Sequence, residues 1–194
     1  MTFLLYSGHM YSYDDVADGY DNFYGVSPEL IAEDKYLAAL IATNLSGKLL
    51  DIGSGTGWLL DNIVIDSENY TGVDPSKRMV EVARDKHPMY EVIHGTVFNA
   101  VEKYSTVVAV FGVFSYLLID EVKKIGEVIT PDAKCFFMSY VPGYQSKIMM
   151  SQGVSPIRFD GQEYEKKAEI VESMFKGVRR ETLFDKYLIL TNFT

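Results

Sequence analysis

Lys48-Leu-Leu-Asp-Ile-Gly-Ser-Gly-Thr-Gly-Trp-Leu-Leu60 is the stretch on which the rest of the chain is read. It opens on a short apolar run at 49–52, bounded by glycines, which predicts a buried strand. Gly53, Gly55 and Gly57 follow at alternate positions, and a helical pattern begins near Thr56 and runs to about Ile65. A strand, a glycine turn and a helix start together form a nucleotide cradle. The missing Cβ atoms let the backbone approach the ligand, and the free N–H groups point at it.

The spacing narrows the ligand. The dinucleotide fingerprint is G-x-G-x-x-G, whereas this loop is D-x-G-x-G-x-G with Asp51 at the strand end. A carboxylate there repels a pyrophosphate and suits a ligand that carries an ammonium group. The stretch resembles the first motif of the class I S-adenosylmethionine-dependent methyltransferases. That resemblance implies that Asp51 lies near the amino acid end of the cofactor. It also implies that Gly53, Ser54, Gly55 and Gly57 pass under the ribose.

A second strand is predicted at 69–74, ending on Asp74 about twenty residues beyond the loop. A carboxylate at that strand end can accept hydrogen bonds from both ribose hydroxyls. This suits any adenosyl ligand, so Asp74 does not by itself separate a methyltransferase from a dehydrogenase. The resemblance adds Pro75 and Met79 to the cofactor site. Ser76 is expected to cap a helix carrying Met79, Val80 and Ala83, with Pro88 marking its end. A third strand at 90–94 leads into Gly95-Thr96-Val97. Members of the family usually carry an acidic residue after this glycine to hold the adenine amino group. Here the Thr96 hydroxyl or the Val97 backbone is expected in its place. His94 is read as a core or strand-end residue rather than a catalytic one.

A fourth strand at 105–110, Ser-Thr-Val-Val-Ala-Val, is continuously apolar as a central parallel strand should be. It runs into Phe111-Gly-Val-Phe-Ser-Tyr116. Strand ends at a topological switch point line the crevice of such sheets, and the family's fourth motif sits here. Phe111 and Tyr116 are therefore placed by the sulfonium and the acceptor, with core packing expected of at least one of Phe111 and Phe114. A helix bearing Leu118, Val122, Ile125 and Ile129 is expected to stop at Pro131, followed by a fifth strand at 133–141. Residues 142–161 show no period, and a substrate-pocket insertion is expected there, with Met149 and Met150 lining it or filling gaps. The charges of a helix at 163–176 are read as a solvated face. Two strands, 178–184 and 186–193, close the chain.

The start of the chain has its own character. Tyr6, Tyr11, Tyr13, Tyr20 and Tyr24 are interleaved with Asp14, Asp15, Asp18 and Asp21. This predicts a partly ordered N-terminal arm or lid over 1–25, with one helical turn, that excludes water from the site. Its segment 13–24 is similar to the Y-D-x-x-A-x-x-Y-D entry of many small-molecule methyltransferases, which implies that Tyr20 packs by the cofactor. Simple coverage of the core by these tyrosines is the equal alternative. The aspartates are read as solvated. Ser27-Pro28-Glu29 predicts a helix start.

Bulk properties exclude some classes. The chain has 194 residues, a net charge of −9 and one cysteine, Cys135. The length predicts a single domain over 1–194. The lone cysteine excludes a disulfide framework and a cysteine-rich zinc site. The acidity disfavours nucleic acid as a partner. No apolar run reaches membrane-spanning length, and a cytoplasmic location is expected. Asn/Asp-Pro-Pro-Tyr/Phe and Pro-Cys signatures are absent, as is an aspartate at the end of the fourth strand, so no metal site is expected.

The expected fold is α/β: a Rossmann-like, doubly wound, seven-stranded, mostly parallel sheet with one antiparallel strand and helices on both faces. The function implied is methyl transfer from S-adenosylmethionine to an oxygen or nitrogen of a small molecule. Tyr116, Tyr140 and Tyr144 are candidates to orient the acceptor. A cofactor-binding regulatory or complex subunit without transferase activity is the alternative, followed by a protein or nucleic-acid methyltransferase, then a nicotinamide dehydrogenase. The acceptor and the oligomeric state are not written in these patterns.

Overall fold

In a computed structural model of the chain, residues 13–23, 27–144 and 160–194 are described. The expectations for Tyr6, Tyr11, Tyr24, Met149 and Met150 lie outside these residues.

Seven strands form one sheet in the order β3-β2-β1-β4-β5-β7-β6. They are β1 Leu49–Ile52, β2 Tyr70–Asp74, β3 Glu91–His94, β4 Tyr104–Ala109, β5 Ile129–Tyr140, β6 Arg179–Leu183 and β7 Tyr187–Thr191. β1 pairs in parallel with β2 and β4, while β7 inserts antiparallel between β5 and β6. β7 is thus the antiparallel member, as expected from the closing strand pair. The reversal of winding between β1 and β4 opens a crevice at the carboxyl ends of these strands.

The helices are α1 Pro28–Asn44, α2 Trp58–Asn62, α3 Lys77–Lys86, α4 Ile119–Val128 and α5 Gly161–Met174. The side chain of Ser27 accepts from Leu30 N–H and caps α1 at 3.1 Å. Ser76 caps α3 in the same way through Met79 N–H. Alternation along the central strands sends side chains to both faces. Leu50, Ile52, Val107 and Phe137 pack with Val122 and Ile125 of α4 and Ala168 and Val171 of α5. Leu49, Val108 and Phe136 pack with Leu37 and Ile41 of α1, Leu59 of α2 and Val80 of α3. Both faces are covered, which is why these strands read as unbroken apolar runs.

Three local expectations are corrected. α2 ends at Asn62, short of the expected Ile65, and begins at Trp58 because Gly57 still holds the left-handed conformation. β5 begins at Ile129 and runs through Pro131, whereas a helix was expected to reach that proline. Its register against β4 slips between Tyr104 and Thr106, and such an irregularity tolerates a proline inside a strand. The arm holds two 3-10 turns, Tyr13–Asp15 and Ala17–Phe23, rather than one helical turn.

Phe114 belongs to the core, being fully buried and stacked on Phe137 with ring centroids 5.2 Å apart. Phe114→Ala is expected to lower unfolding free energy by about 3–5 kcal/mol, measured by urea denaturation.

Candidate functional site

The carboxyl ends of β1, β2 and β4 gather the candidate residues. The backbone turns sharply after Ile52: Gly53, Gly55 and Gly57 have φ of 70°, 55° and 94°. At Gly53 the conformation is only half of the constraint. A Cβ there would lie 2.6 Å from Cγ2 of Val113, so the glycine loop seats directly on the turn after β4. At Gly55 no atom lies within 4 Å of a Cβ position, so its outer side is open. The N–H groups of Gly53 and Ser54 donate to Val73 O, and Gly55 N–H donates to Asp74 Oδ2 at 2.9 Å. Asp74 Oδ1 accepts from Ser76 N–H at 2.8 Å. The Asp74 carboxylate therefore ties the glycine loop to the start of α3, and each oxygen retains a lone pair for a further donor.

Asp51 is buried in the same corner. Its Oδ2 accepts from the Tyr70 hydroxyl at 2.9 Å, and its Oδ1 has no hydrogen-bond partner among the described residues. Burial pushes Asp51 up to about 7, against the opposing Tyr70 hydrogen bond and with a small push from Asp74. Burial likewise pushes Asp74 up to about 6, opposed by the N–H groups of Ser76 and Gly55.

The turn after β4 forms a second wall. Phe111 has φ 51°, a left-handed conformation that a bulky residue rarely adopts. Such strain persists where surrounding structure imposes it, and it collects at ligand sites. Its ring meets Trp58 edge-on at 4.7 Å. Tyr116 bonds through its hydroxyl to that of Tyr13 at 3.1 Å, and Tyr13 packs edge-on against Tyr20. Tyr140 lies over Gly112, where a Cβ would come within 2.2 Å of its ring, and stacks on Tyr144 at 5.3 Å. The structure thus brings Tyr20 and Tyr116 together through Tyr13, and sets Tyr140 and Tyr144 beside the same turn.

Lys167 of α5 holds this turn from behind. It is 3% exposed, and its ammonium group donates to the carbonyls of Leu117, Ser115 and Phe114 at 2.7, 3.3 and 3.4 Å. Glu163 Oε1 balances the charge at 3.0 Å. This corrects the expectation that all charges of the helix are solvated. The carbonyls that end a helical turn lack internal partners, and a buried cation satisfies them. The lysine's place in a charged helical run masked it, because nothing local marks one lysine as inward.

The arm aspartates are exposed, as expected, and also pair with neighbouring groups. Asp14 accepts from Ser76 Oγ at 2.6 Å and from Arg78 N–H at 2.8 Å. Asp18 pairs with Arg78 at 2.6 Å, and Asp21 pairs with Lys86 at 2.8 Å and accepts from Thr56 Oγ1. The arm is strapped across α3 and the glycine loop.

The remaining candidates are plainly placed. Met79 is buried, and Pro75 O meets His94 Nε2 at 3.2 Å, so His94 is the strand-end residue expected. Thr96 caps the 3-10 turn Val97–Asn99, its hydroxyl accepting from Phe98 N–H at 3.4 Å, and the Val97 side chain is buried. Cys135 is buried and its thiol is pushed up to about 12 by burial, as suits an inert core thiol. No cluster of metal-ligating side chains occurs among the described residues, and no helix among them is long and apolar enough to cross a membrane.

Residues 49–131 match the model of a methyltransferase domain. An uncharacterized methyltransferase of Oceanobacillus iheyensis is 27% identical over 133 residues, covering 64% of this chain and 60% of its own. The chain spans less than two thirds of the length of the curated relatives it matches. DesVI of Streptomyces venezuelae has the same fold with TM-score 0.60 and 20% identity, covering 90% of this chain and 97% of DesVI. The sugar N-methyltransferase KedS8 of Streptoalloteichus superposes with TM-score 0.59 and 15% identity over the full length of both chains. Residues 49–131 thus resemble a methyltransferase domain, and the fold of the described residues is that of solved methyltransferases. The open glycine cradle between two buried carboxylates has room and charge for an adenosyl group and an ammonium group.

Two carboxylates raised by burial have a stability consequence of definite sign. The folded state holds protons that the unfolded chain has already released. Their stabilising contribution is complete below the ordinary carboxylate range and is lost as pH rises to about 6 for Asp74 and about 7 for Asp51. Asp51→Asn removes the Asp51 part. Thermal melts of the ligand-free protein are expected to show Asp51→Asn melting above wild type at about pH 8, with the gap closing toward about pH 5.

Proposed function

We propose that this chain transfers a methyl group from S-adenosylmethionine to an oxygen or nitrogen of a small molecule. The observation that carries the reading is the pair of buried carboxylates at adjacent strand ends, Asp51 and Asp74, on either side of a glycine loop with an open outer face. Asp74 serves the ribose hydroxyls and Asp51 the ammonium group, while Ser54, Gly55 and Gly57 line the floor. Pro75 and Met79 support the ribose side, and Thr96 and Val97 serve the adenine. The likeness in fold to KedS8, a sugar N-methyltransferase, supports a small-molecule acceptor. The net charge of −9 argues in the same direction, against nucleic acid.

When bound, the cofactor supplies a methyl group already activated on a sulfonium. The protein's part is alignment and exclusion of water. Phe111 and the turn after β4 form the wall beside the reacting carbon, and Lys167 keeps that wall in place. Tyr116, Tyr140 and Tyr144 orient the acceptor by hydrogen bonding. Burial raises the Tyr144 phenol further above its usual range, which suits orientation and not proton abstraction. The strapped arm, with Tyr20 facing Tyr13, closes the site to solvent.

Calorimetric titration with S-adenosylhomocysteine, with NAD and ATP as controls, tests the cofactor half. Selective micromolar binding is expected, and Asp74→Ala should weaken it by about 1.5–3 kcal/mol, the worth of charge-assisted hydrogen bonds. A screen of amine and hydroxyl acceptors with radiolabelled methyl donor tests the other half. Cofactor binding without product across that screen would instead assign the chain a regulatory role.

A further inference from the structure

Tyr70 was not among the residues singled out from the sequence, and it is the group that holds Asp51. It opens β2, and Tyr70, Gly72 and Asp74 project from the same face of that strand. In the pairing of β1 with β2, Asp51 lies opposite Gly72. The Tyr70 side chain runs over Gly72 to reach Asp51. A Cβ on Gly72 would come within 2.8 Å of the phenol oxygen and 2.9 Å of Ser54 Cβ and Oγ. The glycine is therefore a spatial requirement of this bond. The ring is steadied in turn by Tyr90, edge-on at 5.7 Å, whose own hydroxyl donates to Ile65 O at 2.8 Å.

A side chain that is 2% exposed and spans a glycine to bond one oxygen of a buried carboxylate does two things. It fixes the plane of the carboxylate, and it donates to the charged form, which favours ionisation. The second oxygen is left buried with no hydrogen-bond partner among the described residues. A buried carboxylate oxygen without a donor is costly, and a cationic ligand group removes that cost. We propose that Tyr70 is a positioning residue for cofactor binding: it grips Asp51 by one oxygen so that the other is presented, ionised, to the ammonium group of the cofactor's amino acid end. The inference rests on the cofactor-site reading above and adds to it a residue that never touches the cofactor. Apart from Tyr70, the charged group bearing on Asp51 is Asp74, which itself faces Asp14 and His94.

The test compares two ligands by calorimetry across about pH 6 to about pH 9. S-adenosylhomocysteine carries the ammonium group, and 5′-methylthioadenosine lacks the amino acid end. For Tyr70→Phe we expect S-adenosylhomocysteine affinity to fall about tenfold near neutral pH, 5′-methylthioadenosine affinity to stay at the wild-type value, and the pH at which S-adenosylhomocysteine affinity is half-lost to move upward. The upward direction follows because the lost hydrogen bond had favoured the carboxylate, so protonation sets in at higher pH. Gly72→Ala, which displaces the phenol while keeping it, should show the same selective loss. Equal losses for both ligands would reduce Tyr70 to a structural residue, and unchanged S-adenosylhomocysteine affinity would overturn its role outright. Asp51→Asn separates the two levels. If it leaves S-adenosylhomocysteine affinity unchanged, the ammonium assignment itself fails; if it weakens binding while Tyr70→Phe does not, only the Tyr70 inference fails.

Discussion

The hydrogen bond from Gly55 N–H to the Asp74 carboxylate is the constraint around which the site is assembled. A glycine loop in left-handed conformations has few internal bonds and no side chains to anchor it. Asp74 supplies the anchor from the neighbouring strand, and through Ser76 N–H it fixes the same loop to the start of α3. Once the loop is pinned on that side, Gly53 meets Val113 on the other. The ends of β1, β2 and β4 then become one rigid wall.

Rigidity here comes at a cost in buried polarity. Two carboxylates, an ammonium group and several backbone carbonyls are held in or beside the core. Each is matched by a specific partner: Tyr70 for Asp51, two N–H groups for Asp74, three carbonyls and Glu163 for Lys167. Buried polar groups hold a unique geometry only when so satisfied. The second Asp51 oxygen has no such partner among the described residues, and neither has Ser54 Oγ in the glycine loop.

The arm shows the same logic at the surface. Its aspartates bridge to α3 and to Thr56, the residue that follows Gly55 in the loop. Exposed ion pairs are individually weak. Several of them acting on one short segment, together with the Tyr13–Tyr116 contact, hold the arm over the turn after β4. The acidic character of this segment thus serves docking and not mere solvation.

The sequence by itself determined the layer architecture, the glycine cradle and its two flanking carboxylates. Alternation of apolar strands with helices is a local pattern, and D-x-G-x-G-x-G followed by a strand-end aspartate is a local motif. It also carried the helix caps at Ser27 and Ser76, where the partner lies three residues away. Tertiary structure alone decided which groups serve those carboxylates and which charges lie inside. Tyr70 and Asp51 are nineteen residues apart and meet because β1 and β2 pair in one particular register across a glycine. Lys167 reaches the turn after β4 across some fifty residues because α5 packs on that face of the sheet. Periodicity records which face of an element is apolar. It does not record strand order or register, and those bring distant polar groups within hydrogen-bonding distance.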